Sequence, residues 1–157
     1  MTATLLALAI LAQPETSANR KQAYRIASAI LPVAQKKNLD PTLLAAIAIA
    51  ETGGRNQVAY KRGKRRRGAD VGVFQIHCPF ARPGCIKRYQ NLRRSASEAG
   101  TILTLGRRLC QNPPQVYERM CKRGFWARYN PGSRRWSKRV QKIWDRIKDH
   151  LEHHTGA

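Results

Sequence analysis

Glu51 is the residue whose placement most needs a chemical reason. It ends a run of apolar or small residues, Thr42 to Ala50, with Leu43 and Ile47 standing eight and four positions before it. On a helix those three positions share one face, so the carboxylate is expected among aliphatic side chains. Loss of water and the negative C-terminal pole of the helix both oppose its ionised form, and its pKa is expected to rise. A carboxylic acid that keeps its proton near neutral pH can protonate the oxygen of a glycosidic bond. The plain alternative is a glutamate that reaches solvent from a helix end.

Few other residues compete for a chemical role. Asp70, if it faced Glu51 across a cleft, could position a water for inverting hydrolysis; beside Gly68 it is equally a turn residue. His77 has no His-x₃-His or Glu-x₂-His spacing around it, and His150, His153 and His154 lie near the chain end, so no metal and no cofactor are expected. Cys78 and Cys85 enclose a segment with Pro and Gly, while Cys110 and Cys121 enclose Asn112-Pro113-Pro114. Two local disulfides, 78 to 85 and 110 to 121, are geometrically reasonable among the three pairings that four cysteines allow, against free thiols in a reducing cell or a zinc site whose usual C-x₂₋₄-C spacing is missing. The densest charge is Lys61-Arg62-Gly63-Lys64-Arg65-Arg66-Arg67-Gly68, which reads as an exposed loop. Its cations either bind a polyanion or are plainly solvated.

These residues must be positioned by a mostly α-helical scaffold. Ala23, Ile26, Ala27, Ile30, Leu31 and Ala34 form one stripe of a helix over 20–37, with a kink expected at Pro32. Asp40 followed by Pro41 marks a helix start, and Glu51-Thr52-Gly53-Gly54 its end. Residues 55–77 look irregular, with a short hairpin around the basic run and Val71 to Ile76. Ser97 is expected to cap a helix running to Cys110, and Gln115 to Lys122 to form a shorter one. Trp136, Val140, Ile143, Trp144, Ile147 and Leu151 recur at helical spacing, which makes these tryptophans core residues of a last helix.

Composition sets the outer bounds. The 157 residues, 42% of them hydrophobic, suffice for one domain with its own core. No run of about 18 apolar residues is present to span a membrane, and no repeat or heptad array appears. Thirty Lys+Arg against nine Asp+Glu give a net charge of +21, which points to a polyanionic partner. Residues 1–18 form a separate apolar segment, read either as a signal peptide or as a short helix, ahead of a domain over 19–157.

Three segments in order resemble the catalytic domain of soluble lytic transglycosylases, relatives of goose-type lysozyme, over about residues 20 to 147. Leu39 to Thr52 is similar to the family's apolar helix ending in Glu-Ser, with threonine for serine. Gly72-Val73-Phe74-Gln75 is similar to its Gly-Leu-Met-Gln, and Tyr129-Asn130-Pro131-Gly132, after Ala127-Arg128, to its Ala-Tyr-Asn-x-Gly. The resemblance implies a lysozyme-like α+β fold. It also implies cleavage of the bond between N-acetylmuramic acid and N-acetylglucosamine in peptidoglycan, with Glu51 as acid and then as base toward the muramoyl C6 hydroxyl. The product would be a 1,6-anhydromuramoyl end. By the same likeness Thr52, Gly72 and Gln75 meet the glycan, Phe74 lines the cleft, and Tyr129 and Asn130 orient Glu51 and the substrate.

The remaining readings are a hydrolytic muramidase of phage endolysin type that uses Asp70, and a small basic nucleic-acid-binding protein supported by charge alone. The implied partners are peptidoglycan strands and anionic envelope polymers, together with a secretion, conjugation or phage assembly. The implied location is the periplasm, the exterior or a virion, and a monomer is expected.

Overall fold

Among the described residues, 1–63 and 66–155, the computed structural model places seven α-helices and a three-stranded sheet; side chains are described except at 61–66 and 155. In chain order these are α1 (Ala3–Leu11), α2 (Arg20–Lys37), α3 (Pro41–Thr52), β1 (Val58–Gly63), β2 (Arg66–Val71), β3 (Ile76–Pro79), α4 (Pro83–Gln90), α5 (Leu92–Gln111), α6 (Gln115–Cys121) and α7 (Arg134–Thr155). A 3₁₀ turn at Phe125–Arg128 precedes α7. This is a mostly α domain with a small β region.

Helix α3 is the hub, because it is apolar all round and an all-round apolar helix must be enclosed by others. Thr42 to Ala50 are all buried, and α1, α2, α5 and α7 pack on them. The Asp40 carboxylate accepts from the Thr42 N–H at 2.8 Å, Pro41 fills the first turn, and Gly53 at φ +63° ends the helix in the left-handed region. Trp144 of α7 donates its indole N–H to Asp40 Oδ2 at 3.0 Å and Thr42 Oγ1 at 2.8 Å, so one cap also registers α7 against α3.

Residues 1–18 share this core. Leu6, Ala9 and Ile10 of α1 have no solvent exposure, and Glu15 pairs with Arg146 of α7 at 2.6 Å. Helix α2 runs unbroken through Pro32.

The structure corrects the start of one helix, adds two elements and reassigns the basic run. Helix α5 starts at Leu92, capped by Asn91 through the Arg94 N–H at 3.1 Å, so Ser97 lies inside it. Its first turns bury only small residues, Ser95, Ala96, Ala99 and Gly100, which leaves little apolar periodicity to read there. Helix α4, within what reads as a Pro/Gly loop, and strand β3 were not expected. The basic run is not a free loop either: most of it forms the ends of β1 and β2, with Lys61 opposite Gly68 and Arg62 opposite Arg67. Like charges at directly opposed positions disfavour a hairpin. Lys64 and Arg65 lie outside the described residues, as do the side chains of Lys61, Arg62 and Arg66; Arg67 is exposed.

The sheet has the order β1-β2-β3 and is antiparallel throughout. Alternation along β2 sends Ala69 and Val71 to one face, where they join Cys78 and pack with Ile86 and Tyr89 of α4. Both disulfides form between the expected partners, Cys78 with Cys85 (Cα–Cα 5.7 Å) and Cys110 with Cys121 (5.3 Å). They tie α4 to the sheet and α6 to the end of α5.

Candidate active site

The last turn of α3 delivers Glu51, half-buried, where the turn after β2 and the segment before α7 meet. Thr52 makes the first join. Its hydroxyl is placed between the Ala48 and Val73 carbonyls, each at 3.1 Å, and the residue is only 5% exposed. The expectation that Thr52 meets substrate is therefore corrected: it fastens the helix end to the 72–75 turn.

That turn has an unusual backbone. Gly72 sits at φ +80°, and a Cβ there would lie 2.3 Å from the Tyr89 carbonyl oxygen. What the missing side chain admits is thus the end of α4, and Gly72 is itself buried. Phe74 is also corrected, since its ring is fully buried and cannot line a cleft; its carbonyl is what the site uses. Gln75 takes φ +48° and stays partly exposed. Its Nε2 donates to the Gly72 carbonyl at 2.9 Å and the Gln57 carbonyl at 3.4 Å, which holds the amide in place while Oε1 takes no part in these bonds.

Tyr129 makes the second join. It follows the 3₁₀ turn, its ring stacks on Trp136 with centroids 5.8 Å apart, and its hydroxyl donates to the Phe74 carbonyl. The ring keeps some exposure while the hydroxyl is enclosed. Burial first, then the charges of Glu51, Glu98 and Asp70, hold its pKa well above the ordinary tyrosine value. Three carboxylates therefore act on one phenol. Asn130, beside it, is half-buried, and its carbonyl accepts from the Ser133 N–H at 3.2 Å.

Glu98 was not among the candidates. It is the lone acid of α5, between Ser95 and Gly100 on a flank of small buried residues, and that setting is the signal that could have found it. Its carboxylate bonds Tyr89, whose pKa is raised by burial first and then by Glu98. Asp70 is 7% exposed, and its Oδ1 lies 2.8 Å from His77 Nδ1, directly opposite on β3. Among the described residues, no group of three or more His, Cys, Asp or Glu side chains could hold a metal ion.

The Tyr129 phenol gives a pH prediction. The unfolded chain releases this proton near pH 10 and the folded chain does not, so above that pH the folded state binds more protons and its stability falls as pH rises. Below pH 10 the contribution is fully present. Tyr129→Phe should cost about 1 kcal/mol at pH 8 through the lost hydrogen bond, and should flatten the alkaline fall by up to about 1.4 kcal/mol per pH unit. Urea midpoints of both proteins between pH 8 and 11.5 read this out; parallel pH profiles would place the phenol in contact with water.

Together these contacts bring Glu51, Gln75, Tyr129 and the Phe74 carbonyl to one place, with Asp70 and Glu98 behind them. Compared with protein-family models, curated proteins and solved structures, the chain matches none of them.

Proposed function

We propose that the protein cleaves the β-1,4 bond between N-acetylmuramic acid and N-acetylglucosamine in peptidoglycan without water, leaving a 1,6-anhydromuramoyl end. The observation that carries this reading is the convergence of three segments far apart in sequence. Thr52 Oγ1 reaches Val73, and the Tyr129 hydroxyl reaches Phe74, at the helix end that presents Glu51. The resemblance to soluble lytic transglycosylases assigns the same three segments to one site.

In the reaction, the Glu51 carboxyl gives its proton to the glycosidic oxygen as the C1–O bond breaks and the N-acetylglucosamine hydroxyl departs. The resulting carboxylate then takes the proton of the muramoyl C6 hydroxyl, whose oxygen closes on C1. Atoms balance without water, and Glu51 ends protonated again. Gln75 is held to offer Oε1 to a sugar, and Tyr129 and Asn130 flank the acid.

Burial of Asp70 and its bond to His77 support this form over hydrolysis, because a water-positioning carboxylate must itself reach water. The net charge of +21 fits docking on anionic envelope polymers as partners, at a wall reached from the periplasm, the exterior or a virion. Mass spectrometry of the soluble products from purified peptidoglycan tests the reading. Products 18 Da lighter than the hydrolytic muropeptides are expected; reducing ends would assign hydrolysis, and intact glycan would remove the activity.

A further inference from the structure

A cavity of about 380 Å³, lined by none of Glu51, Gln75, Tyr129 and Asn130, opens between α6, the turn that follows it and the first turns of α7. That is ligand-sized space. Among the described residues that line it, five are cations, Arg119, Lys122, Arg123, Arg134 and Lys138, and none is a carboxylate. Among the described residues none of the five makes a salt bridge. Asp145, one turn beyond the lining residue Gln141, is engaged by Gln141 Nε2 at 2.8 Å and by Lys148 Nζ at 3.3 Å, so it does not neutralise them.

Like charges gathered in one concavity repel unless an anion joins them, and the walls here are built to stay together. The Cys110–Cys121 disulfide fastens the end of α6. Arg123 is braced by bonds to the Arg119 carbonyl at 3.3 Å and the Pro131 carbonyl at 2.6 Å. Ser133 caps the Trp136 N–H at 3.0 Å, which sets the N-terminal pole of the 22-residue α7 at the rim.

We infer that this pocket binds phosphate groups of a polyol-phosphate polymer. Guanidinium forks match phosphate oxygens in pairs, and the helix pole adds to the same field. The remaining lining residues, Ser137 and Gln141, are polar and uncharged. None of the described lining residues is an aromatic that could stack a base, so a nucleic acid would gain only its backbone charge there. The inference deepens the docking part of the proposed function and rests on it for the identity of the polymer; binding itself is read without turnover.

The test is titration calorimetry of the full chain with a poly(glycerol phosphate) oligomer at several salt concentrations. An oligonucleotide and polyglutamate of equal charge serve as comparisons. Replacing Arg134 and Lys138 together by Gln should weaken the oligomer about tenfold and reduce the salt slope by about two, and amide shifts should cluster at Ser137 and Gln141. Turnover of a short soluble glycan should be unchanged in that variant. Unchanged affinity, equal binding of polyglutamate, or tighter binding of the oligonucleotide would overturn the pocket assignment. Oligomer binding without any glycan cleavage by the unmodified protein would instead overturn the enzyme reading and leave the pocket standing.

Discussion

Glu51→Gln is expected to abolish release of muropeptides from peptidoglycan while the protein still folds. The substitution keeps the size of the side chain and its place on the last turn of α3 but removes the transferable proton. General acid–base catalysis by one positioned group contributes about 10² to 10⁴-fold, and in the proposed mechanism the same carboxyl serves both steps. A loss of about 10³-fold or more in release is therefore expected. Circular dichroism and melting should stay close to those of the unmodified chain, because Glu51 is half-buried and the joins at Thr52 and Tyr129 are untouched. Release at a tenth of the original rate or better would take Glu51 out of the acid role. An inactive variant that also melts far lower would show a structural task for the carboxylate instead.

The second large effect concerns stability. Deleting residues 1–12 removes α1, whose Leu6 and Ile10 are completely enclosed by the helices packed on it. Burying two such side chains contributes about 3 to 6 kcal/mol, a large part of the roughly 5 to 15 kcal/mol by which domains are stable. The truncated chain is expected to melt about 10 °C or more lower. It should also bind a hydrophobic dye, since the faces of α2 and α7 under α1 would meet water. A calorimetric scan of both chains decides it. Equal melting temperatures would mean that α1 adds nothing to the core and that residues 13–157 stand alone.

How much of this was legible in the sequence follows from how local each signal is. The start of α3 needed only Asp40 and Pro41, since capping and a fixed φ act within one turn. Its end needed only Gly53, where a left-handed residue closes the helix. The disulfide partners were legible too, because seven and eleven residues of separation with intervening turn residues leave the two local pairs the easiest to close. Glu51 stood out for the same reason: a charge at the end of an apolar run is visible without knowing what packs on it.

Thr52, Phe74 and Glu98 were misread or missed because their roles are set by residues remote in the chain. The Thr52 hydroxyl turns inward because the Val73 carbonyl, twenty-one positions on, needs a donor once buried. Phe74 sends its ring to the core and its carbonyl to the site, a choice made by the Gly72 and Gln75 backbone and by Tyr129 fifty-five residues away. Glu98 joins the site only because the small residues of α5 let that helix lie close to the others. Residue types and local spacing thus determined α2, α3 and α7, the cap of α3, the cysteine pairs and the place of Glu51 at a helix end. Which polar groups face one another across the site was decided by tertiary packing, because a buried donor must take the acceptor that the fold brings to it, whatever the distance along the chain.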